Sequence, residues 1–307
     1  MENKTLTAVP GVSVGHWTDF TAATGATVIV FPAPNVAAAE IRGAAPGTRE
    51  FGLFGPGMAI EMIQALVFAG GSAYGLAAAD GVMRELEMDG RGHDKDPWVV
   101  PIVPAAIIFD LMVGDGAVRP GPEEGAAAYR AANTGPVVMG SVGAGTGATI
   151  SNWRGPGSEQ KGGIGSAALQ KGSVTVGALV VLNAGGDIFT LEGKSLSGGP
   201  AVSSMPHLPQ RGLEQTTLVA IATDARLSRK ELNRVCVRAH DALAVCIRPV
   251  HTRYDGDIAF AVSCGLEDGN SDELSEVAFE VVGRAVAAAV GNSETLAGVP
   301  SVGDSSL

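Results

Sequence analysis

The spacing of apolar and polar positions divides the chain into buried strands and amphipathic helices. Apolar runs bounded by turn residues predict strands at 26–31, within 98–110, and at 172–186, 216–225 and 257–264. The range 98–110 gives short strands broken at Pro101 and Pro104, and the strand at 172–186 ends in Asn183. Helical spacing predicts helices at 70–88, 122–133, 227–247 and 271–290. This mixture indicates an α/β chain in which helices cover layered sheets.

The most specific helix start is at Ser228. Ser228 and Glu231 have the spacing of a capping box, in which each side chain accepts a backbone N–H of the other residue. An apolar stripe follows and ends near Cys246. We therefore expect this helix to pack one face against a sheet.

One long segment interrupts the periodic pattern. Residues 191–215 are rich in Gly, Ser and Pro, and a strand pattern follows immediately at Thr216. Loops of this length in a compact domain are usually functional or disordered. The segment therefore predicts a long mobile loop that ends at a buried strand.

Composition narrows the function classes. The 307 residues are 46% hydrophobic and 17% charged, which suffices for a sizeable core, and the formal net charge of −11 opposes a nucleic acid partner. We expect neither a signal peptide nor a membrane span, because the first residues lack a basic head and no apolar run is long enough. The cysteines Cys236, Cys246 and Cys264 are odd in number and lack CxxC spacing, which favours a reducing cytoplasm over disulfides or a zinc site.

Two glycine-rich stretches are candidate parts of a binding site. The first, 140–148, contains a G-x-G-x-x-A pattern at Gly143, Gly145 and Ala148, but its flanks do not predict the strand and helix of a dinucleotide-binding unit. We expect instead a loop that brings backbone N–H groups into a cleft, where they stabilise an oxyanion. The second, 161–167, is expected to be another such loop and carries Lys161.

The Asp-Gly-Asp sequence before the last predicted strand admits two interpretations. If the strand has already begun, Asp255 and Asp257 point to the same face, and His251 adds a third group that binds metals. A metal-dependent hydrolase is therefore one hypothesis. The alternative is a turn built on Asp-Gly. No recognisable Ser-His-Asp order supports a histidine-based triad.

The pair Thr216–Thr217 stands where the long loop becomes a strand. Threonine is common in strands, so β-propensity alone explains the pair. A threonine hydroxyl also becomes a nucleophile when the residue's own free α-amine serves as the base. The amine becomes free only if the preceding peptide bond is cut, and a loop that ends at a rigid strand suits such a cut.

Eight motifs in this order carry a resemblance to a known family: GHWTD, TGATVIVFPAP, FAGGSAYGLAAADGVM, GSVGAGTGAT, KGGIGSA, VVLNAGG, TTLVAIATDARLSRKELN and HTRYDGDIAFAVS. The chain resembles, over nearly its whole length, the self-processing amidases that include L-aminopeptidase/D-esterase, the β-peptidyl aminopeptidases and the endo-type nylon-oligomer hydrolases. The resemblance implies an αββα sandwich of the N-terminal-nucleophile type, with no cofactor. It also implies a single domain over 1–307, cut between Gln215 and Thr216 into chains 1–215 and 216–307 that assemble as a tetramer of pairs.

The resemblance also assigns roles to individual residues. Thr216 is the implied nucleophile and Asn183 an oxyanion or positioning group. Asp255 and Asp257 are implied to orient and polarise the nucleophile and its amine. Tyr74 is implied to line the cleft that binds a small amide or peptide substrate.

Three positions depart from the family pattern. Gln215 precedes the nucleophile, where relatives often have Asn or Gly. Asn152 stands where the nylon hydrolases carry a lysine, so Lys161 is a candidate for that role. No acid lies beside Tyr74, which favours endo-type cleavage over aminopeptidase activity. Gln215 and Asn152 also leave open an unprocessed, non-catalytic protein that binds ligands.

Overall fold

The computed structural model describes residues 3–199 and 214–304. Within these residues the strands are β1 (Ser13–Asp19), β2 (Thr24–Val30), β3 (Val36–Ile41), β4 (Thr48–Arg49), β5 (Ala65–Ala69), β6 (His93–Lys95), β7 (Trp98–Val100), β8 (Ala105–Ile107), β9 (Thr149–Ile150), β10 (Gln160–Lys161), β11 (Gly163–Lys171), β12 (Val174–Asn183), β13 (Asp187–Ile188), β14 (Thr216–Ala225), β15 (Ile247–Arg248) and β16 (Ile258–Glu267). The α-helices are α1 (Ala78–Met88), α2 (Pro122–Arg130), α3 (Arg229–Cys246) and α4 (Ser271–Gly291).

Two five-stranded sheets form the centre of the molecule. Sheet A has the order β1-β2-β5-β8-β4, and sheet B has the order β11-β12-β14-β16-β3. Most neighbours are antiparallel, but β5 runs parallel to β8 and β14 runs parallel to β16. The remaining strands pair as short two-stranded ribbons.

The helices cover the outer faces of the two sheets. Helices α1 and α2 pack on sheet A, and α3 and α4 pack on sheet B. A third apolar cluster, which includes Ile29, Phe68, Val181 and Phe260, fills the space between the sheets. The layer order is therefore helix, sheet, sheet, helix, as the resemblance implied.

Strand β14 shows how this layering places the paired threonines. Leu218 and Ala220 pack between the two sheets, whereas Val219 and Ile221 pack against the helices on sheet B. Since side chains alternate along a strand, Thr216 projects toward the space between the sheets and Thr217 toward the helices. The same alternation along β12 places Asn183 on the face of Thr216, and the two residues are direct partners in the antiparallel ladder.

Most predicted elements are confirmed, with shifted ends. The capping box of α3 is present: the N–H of Ser228 donates to Glu231, and the Ser228 hydroxyl accepts from the N–H of Glu231. The helix predicted from residue 70 has its α-helical part at 78–88, after a short 3₁₀ turn at Ser72–Ala77. Residues 200–213, the greater part of the predicted long loop, lie outside the described residues.

The expectation of a loop at 161–167 is wrong, because Lys161 ends β10 and β11 begins at Gly163. Glycine is needed here because a helix backbone approaches the strand closely. A Cβ on Gly165 would lie 1.9 Å from the carbonyl oxygen of Ala285 in α4. Close packing, rather than a turn, therefore explains a glycine inside this strand.

No helix among residues 3–199 and 214–304 has the length and apolar character needed to cross a membrane.

Candidate active site

Thr216 begins β14 at the edge of the space between the sheets. It is 5% exposed and lies in sheet B between Asn183 at the end of β12 and the Asp-Gly-Asp segment that leads into β16. Gly256 is in direct contact, because a Cβ on this residue would lie 2.7 Å from the Thr216 hydroxyl oxygen. The hydroxyl is thus held in a narrow, mostly buried space.

The peptide bond before Thr216 is also fixed. The carbonyl oxygen of Gln215 accepts a hydrogen bond of 2.8 Å from the N–H of Gly256, and the N–H of Gln215 donates to the carbonyl of Tyr254 at 3.4 Å. These bonds form an isolated parallel bridge between Gln215 and Asp255, ahead of the β14–β16 ladder that begins at Leu218 and Ile258. An N–H directed at a carbonyl oxygen stabilises the negative charge that develops there during nucleophilic attack.

Asn183 is completely buried and held at both ends of its amide. Its Oδ1 accepts from the N–H of Thr149 at 3.0 Å, and its Nδ2 donates to the carbonyl of Phe109 at 3.3 Å. A side-chain amide has two N–H donors, so one remains beyond the bond to Phe109. Its position opposite Thr216 suits that donor for a developing oxyanion.

The two carboxylates of the Asp-Gly-Asp segment have different partners. Asp257 Oδ1 accepts from the N–H of Thr217 at 2.7 Å, which fixes the backbone next to Thr216. Asp255 Oδ2 accepts from the N–H of Thr252 at 2.7 Å. Burial, followed by repulsion from Asp257, raises the pKa of Asp255 to about 6.

The geometry does not support the metal-site hypothesis. The N–H and Nδ1 of His251 both lie within hydrogen-bonding distance of Asp257 Oδ2, at 3.1 and 2.8 Å, so these groups bind one another. In the described part of the chain, no group of three or more His, Cys, Asp or Glu side chains is arranged to hold a metal ion. We therefore give this hypothesis no further weight.

Lys161 is fully buried beneath the first glycine-rich stretch. Its ammonium group donates to the carbonyls of Thr146 at 2.6 Å and Ala148 at 2.8 Å. Burial lowers the pKa of Lys161 to about 7, and the nearby Asp110 carboxylate partly opposes this shift. Lys161 pairs with Thr149 in the β9–β10 ribbon, and Thr149 is the residue that binds Asn183. The lysine thus belongs to the same hydrogen-bonded layer as the candidate oxyanion group.

The remaining predicted residues, Asn152 and Tyr74, have the following contacts. Asn152 donates to Thr149 Oγ1 at 2.9 Å, so it supports the residue that holds Asn183. Tyr74 is 61% exposed, and the Arg119 guanidinium stacks on its ring at 3.9 Å. Its short 3₁₀ turn follows Gly71, whose N–H donates to Asp110.

The expected N–H donors of the first glycine stretch are used inside the fold. The N–H of Gly143 donates to Thr18 Oγ1, and that of Gly145 donates to the carbonyl of Val142. The stretch instead supplies carbonyl groups to Lys161, a difference that follows from the unforeseen burial of the lysine. In this structure Gly143 and Gly145 contribute close packing rather than free N–H donors.

Sequence reasoning missed Asp110, Thr149 and Gly256. Asp110 ends an apolar run and accepts hydrogen bonds from the N–H of Gly71 and the hydroxyl of Thr24, and burial raises its pKa. A lone acid after such a run was the available signal. Gly256 lay inside the motif already singled out, but nothing local showed that it contacts Thr216.

Comparisons with known proteins agree with this architecture. The model of peptidase family S58 matches residues 4–302. The uncharacterized aminopeptidase Rv1333 of Mycobacterium tuberculosis (strain ATCC 25618 / H37Rv) is 39% identical, over 97% of this chain and 97% of that protein. The 6-aminohexanoate-oligomer endohydrolase of Kocuria sp. (strain KY2) is 31% identical, over 90% of this chain and 83% of that protein.

Solved structures show the same fold. A Burkholderia sp. β-aminopeptidase has a TM-score of 0.76 at 23% identity, covering 98% of this chain and 91% of its own. The L-aminopeptidase D-Ala-esterase/amidase of Ochrobactrum anthropi, described as a variant of the N-terminal-nucleophile hydrolase fold, has a TM-score of 0.76 at 22% identity, covering 97% and 88%. Together with the family match and the sequence relatives, the sandwich and its buried threonine lead to one conclusion: the chain belongs to peptidase family S58 and is a hydrolase of peptide or amide bonds.

Proposed function

We propose that the chain cuts itself between Gln215 and Thr216, and that the new N-terminal Thr216 hydrolyses amide bonds through an acyl-enzyme. One observation carries the proposal: the Thr216 hydroxyl is confined beside Gly256, whose N–H also binds the carbonyl that precedes Thr216. The proposed products are chains 1–215 and 216–307. Residues 1–307 act as one folded unit before and after the cut.

Maturation proceeds as an N-to-O acyl shift. Thr216 Oγ1 attacks the carbonyl carbon of Gln215, and the Gly256 N–H stabilises the oxyanion. The hydroxyl proton passes to the Thr216 nitrogen as the C–N bond breaks, which leaves an ester on Oγ1. Water hydrolyses the ester, giving a carboxylate on Gln215 and a free hydroxyl and amine on Thr216.

The mature site repeats this chemistry on a substrate. The free α-amine of Thr216, whose ordinary pKa is about 7.7–8.0, takes the hydroxyl proton and gives it to the leaving amine. Asn183 donates to the oxyanion, Asp257 fixes the backbone at Thr217, and Asp255 orients the amine. The buried Lys161 supports the layer that carries Asn183 and adds positive charge. This scheme requires neither a metal nor an organic cofactor.

The proposed substrates are small amides or peptides. In this proposal the exposed Tyr74 contacts the substrate, whereas Gly143 and Gly145 are buried and contribute close packing. The lack of an acid beside Tyr74 favours endo-type cleavage of an uncharged chain. We also propose a cytoplasmic location and a tetramer of processed pairs.

Intact-mass spectrometry of fresh and aged protein tests the self-cleavage. We expect the 31.0 kDa chain to give species of about 22 and about 9 kDa when divided by length at residue 215. A single stable 31.0 kDa species would contradict the proposal and would favour the alternative of an unprocessed, ligand-binding protein.

An Asn183→Ala variant is expected to lower kcat by about 10²–10³-fold, because that is the usual cost of one lost oxyanion donor. Steady-state hydrolysis of an amide by the processed enzyme measures the effect. The exposed Asn292→Ala variant serves as the control. A kcat within about threefold of the parent would remove Asn183 from the oxyanion site.

Amide hydrolysis is expected to fall in two steps as the pH decreases: first as the Thr216 amine is protonated, near its ordinary pKa of about 7.7–8.0, and then through about 6, where Asp255 is protonated as well. The raised pKa of Asp255 means that its ionised form exists above about 6 and is lost below this value. A kcat/KM profile from about pH 4.5 to about pH 9 measures both steps. Asp255→Asn should remove the step near pH 6 and keep the step at higher pH, and an unchanged lower step in that variant would assign it to another group.

A further inference from the structure

We propose that the Gln215 side chain occupies, before self-cleavage, the subsite that later binds the side chain of the substrate's acyl residue, and that Gly185 sets the width of this subsite. The inference rests on the proposed function. The expected acyl residue is unbranched and about as long as glutamine.

Gly185 lies directly against the Gln215 side chain. A Cβ on Gly185 would be 3.5 Å from Gln215 Cγ, 3.9 Å from Gln215 Cβ and 3.9 Å from Asp255 Oδ1. These are ordinary van der Waals contacts, and the backbone of Gly185 lies outside the left-handed region. Alanine therefore fits at this position, whereas a branched side chain adds methyl groups to a Cβ that is already in contact with Gln215.

The Gln215 side chain is enclosed but incompletely satisfied. The residue is 7% exposed, and its amide oxygen is buried without a hydrogen-bond partner among the described residues. Trp153, whose N–H donates to the Gly185 carbonyl at 3.0 Å, has a buried indole N–H that is also unpartnered in the described part of the chain. Buried polar atoms are usually hydrogen-bonded. The unpartnered amide oxygen of Gln215 therefore indicates that the surrounding described residues do not recognise a glutamine amide specifically.

The chemistry of the two reactions makes the positions equivalent. In self-cleavage, the acyl group transferred to Thr216 Oγ1 is that of Gln215. In hydrolysis, a substrate carbonyl must reach the same oxygen, and the departure of Gln215 frees the Gly256 N–H that held its carbonyl. With the substrate's carbonyl oxygen at that N–H, the substituent on its α-carbon extends where the Gln215 side chain extended. Gln215 therefore marks the acyl side of the cleft, and its departure opens that space.

The first test compares self-cleavage rates, by intact mass over time, in Gly185→Val, Gln215→Ala and the double variant. Gly185→Val should slow cleavage by about tenfold or more, since one or two misplaced methyl groups in a pocket cost that much. The double variant should recover to within about threefold of Gln215→Ala alone. Gly291→Val, at the exposed end of α4, is the control with no neighbour to displace and should match the parent.

The second test measures acylation of the processed enzyme by the p-nitrophenyl esters of N-acetyl-alanine and N-acetyl-norleucine. Gly185→Val should lower the norleucine-to-alanine rate ratio by about tenfold. The subsite would be overturned by an unchanged ratio, or if Gly185→Val slowed self-cleavage equally in the parent and in the Gln215→Ala background. Failure of the parent protein to cleave itself at Gln215–Thr216 would instead contradict the proposed function, and the subsite with it.

Discussion

A Thr216→Ala variant is expected to remain a single 31.0 kDa chain and to lose amide hydrolysis by on the order of 10⁴-fold or more. The substitution removes the oxygen that is the proposed nucleophile toward both the Gln215 carbonyl and the substrate. It leaves the strand intact, because alanine fits the buried first position of β14. Intact mass and amide hydrolysis measure the two losses.

Thr217→Ala is the matched control for this prediction. Thr217 lies one residue beyond Thr216 but projects toward the helices, and its hydroxyl is buried without a partner among the described residues. We expect this variant to process and hydrolyse nearly normally. Thr216→Ser keeps a hydroxyl and should retain processing. Cleavage or substantial activity in Thr216→Ala would disprove the nucleophile assignment.

A Lys161→Met variant is expected to slow self-cleavage and amide hydrolysis by about 10²–10⁴-fold, the range seen when a proton-transfer or charged group is lost from an active site. Methionine keeps most of the volume but leaves the Thr146 and Ala148 carbonyls without their donor. It also leaves the buried Asp110 without its nearby cation. We therefore expect a lower Tm together with the lower rates.

The double variant Lys161→Met, Asp110→Asn separates chemistry from folding. Removing both charges relieves the uncompensated carboxylate, so the Tm should recover in part. If Lys161 contributes charge to the reaction, activity stays low in the double variant. If activity recovers together with the Tm, Lys161 serves only to balance Asp110, and its role in the mechanism is wrong.

The sequence predicted the elements whose signals are local. The α3 helix was predicted from Ser228, Glu231 and an apolar stripe, all of which act within a few turns of one helix. Strand β3 escaped prediction because its alanine-rich sequence has little β-propensity, and it is stabilised by pairing with β16. The expectation of a loop at the strand that begins at Gly163 was wrong because Gly165 packs closely against α4 and Gly163 against Gly140, and both contacts are distant in sequence.

The residues of the candidate site also fall into those with a local sequence signal and those without one. Thr216, Asp255 and Asp257 were found because a loop-to-strand junction and an Asp-Gly-Asp turn are visible in the sequence, and their roles came from the family resemblance. Gly256 and Gly185 were not found. Both matter because they lack a Cβ atom: a Cβ on Gly256 would contact Thr216, and a Cβ on Gly185 would contact Gln215.

The sequence by itself determined the alternation of strands and helices, the family and the position of the proposed nucleophile Thr216, because periodicity, caps and ordered motifs are properties of neighbouring residues. Only the tertiary structure decided what surrounds that threonine. The ladder pairs Asn183 with Thr216, the fold buries Lys161 near Asp110, and β16 brings Gly256 to the Gln215 carbonyl. These contacts join residues far apart in the chain, and burial then lowers the pKa of Lys161 and raises that of Asp110, so no local pattern encodes them.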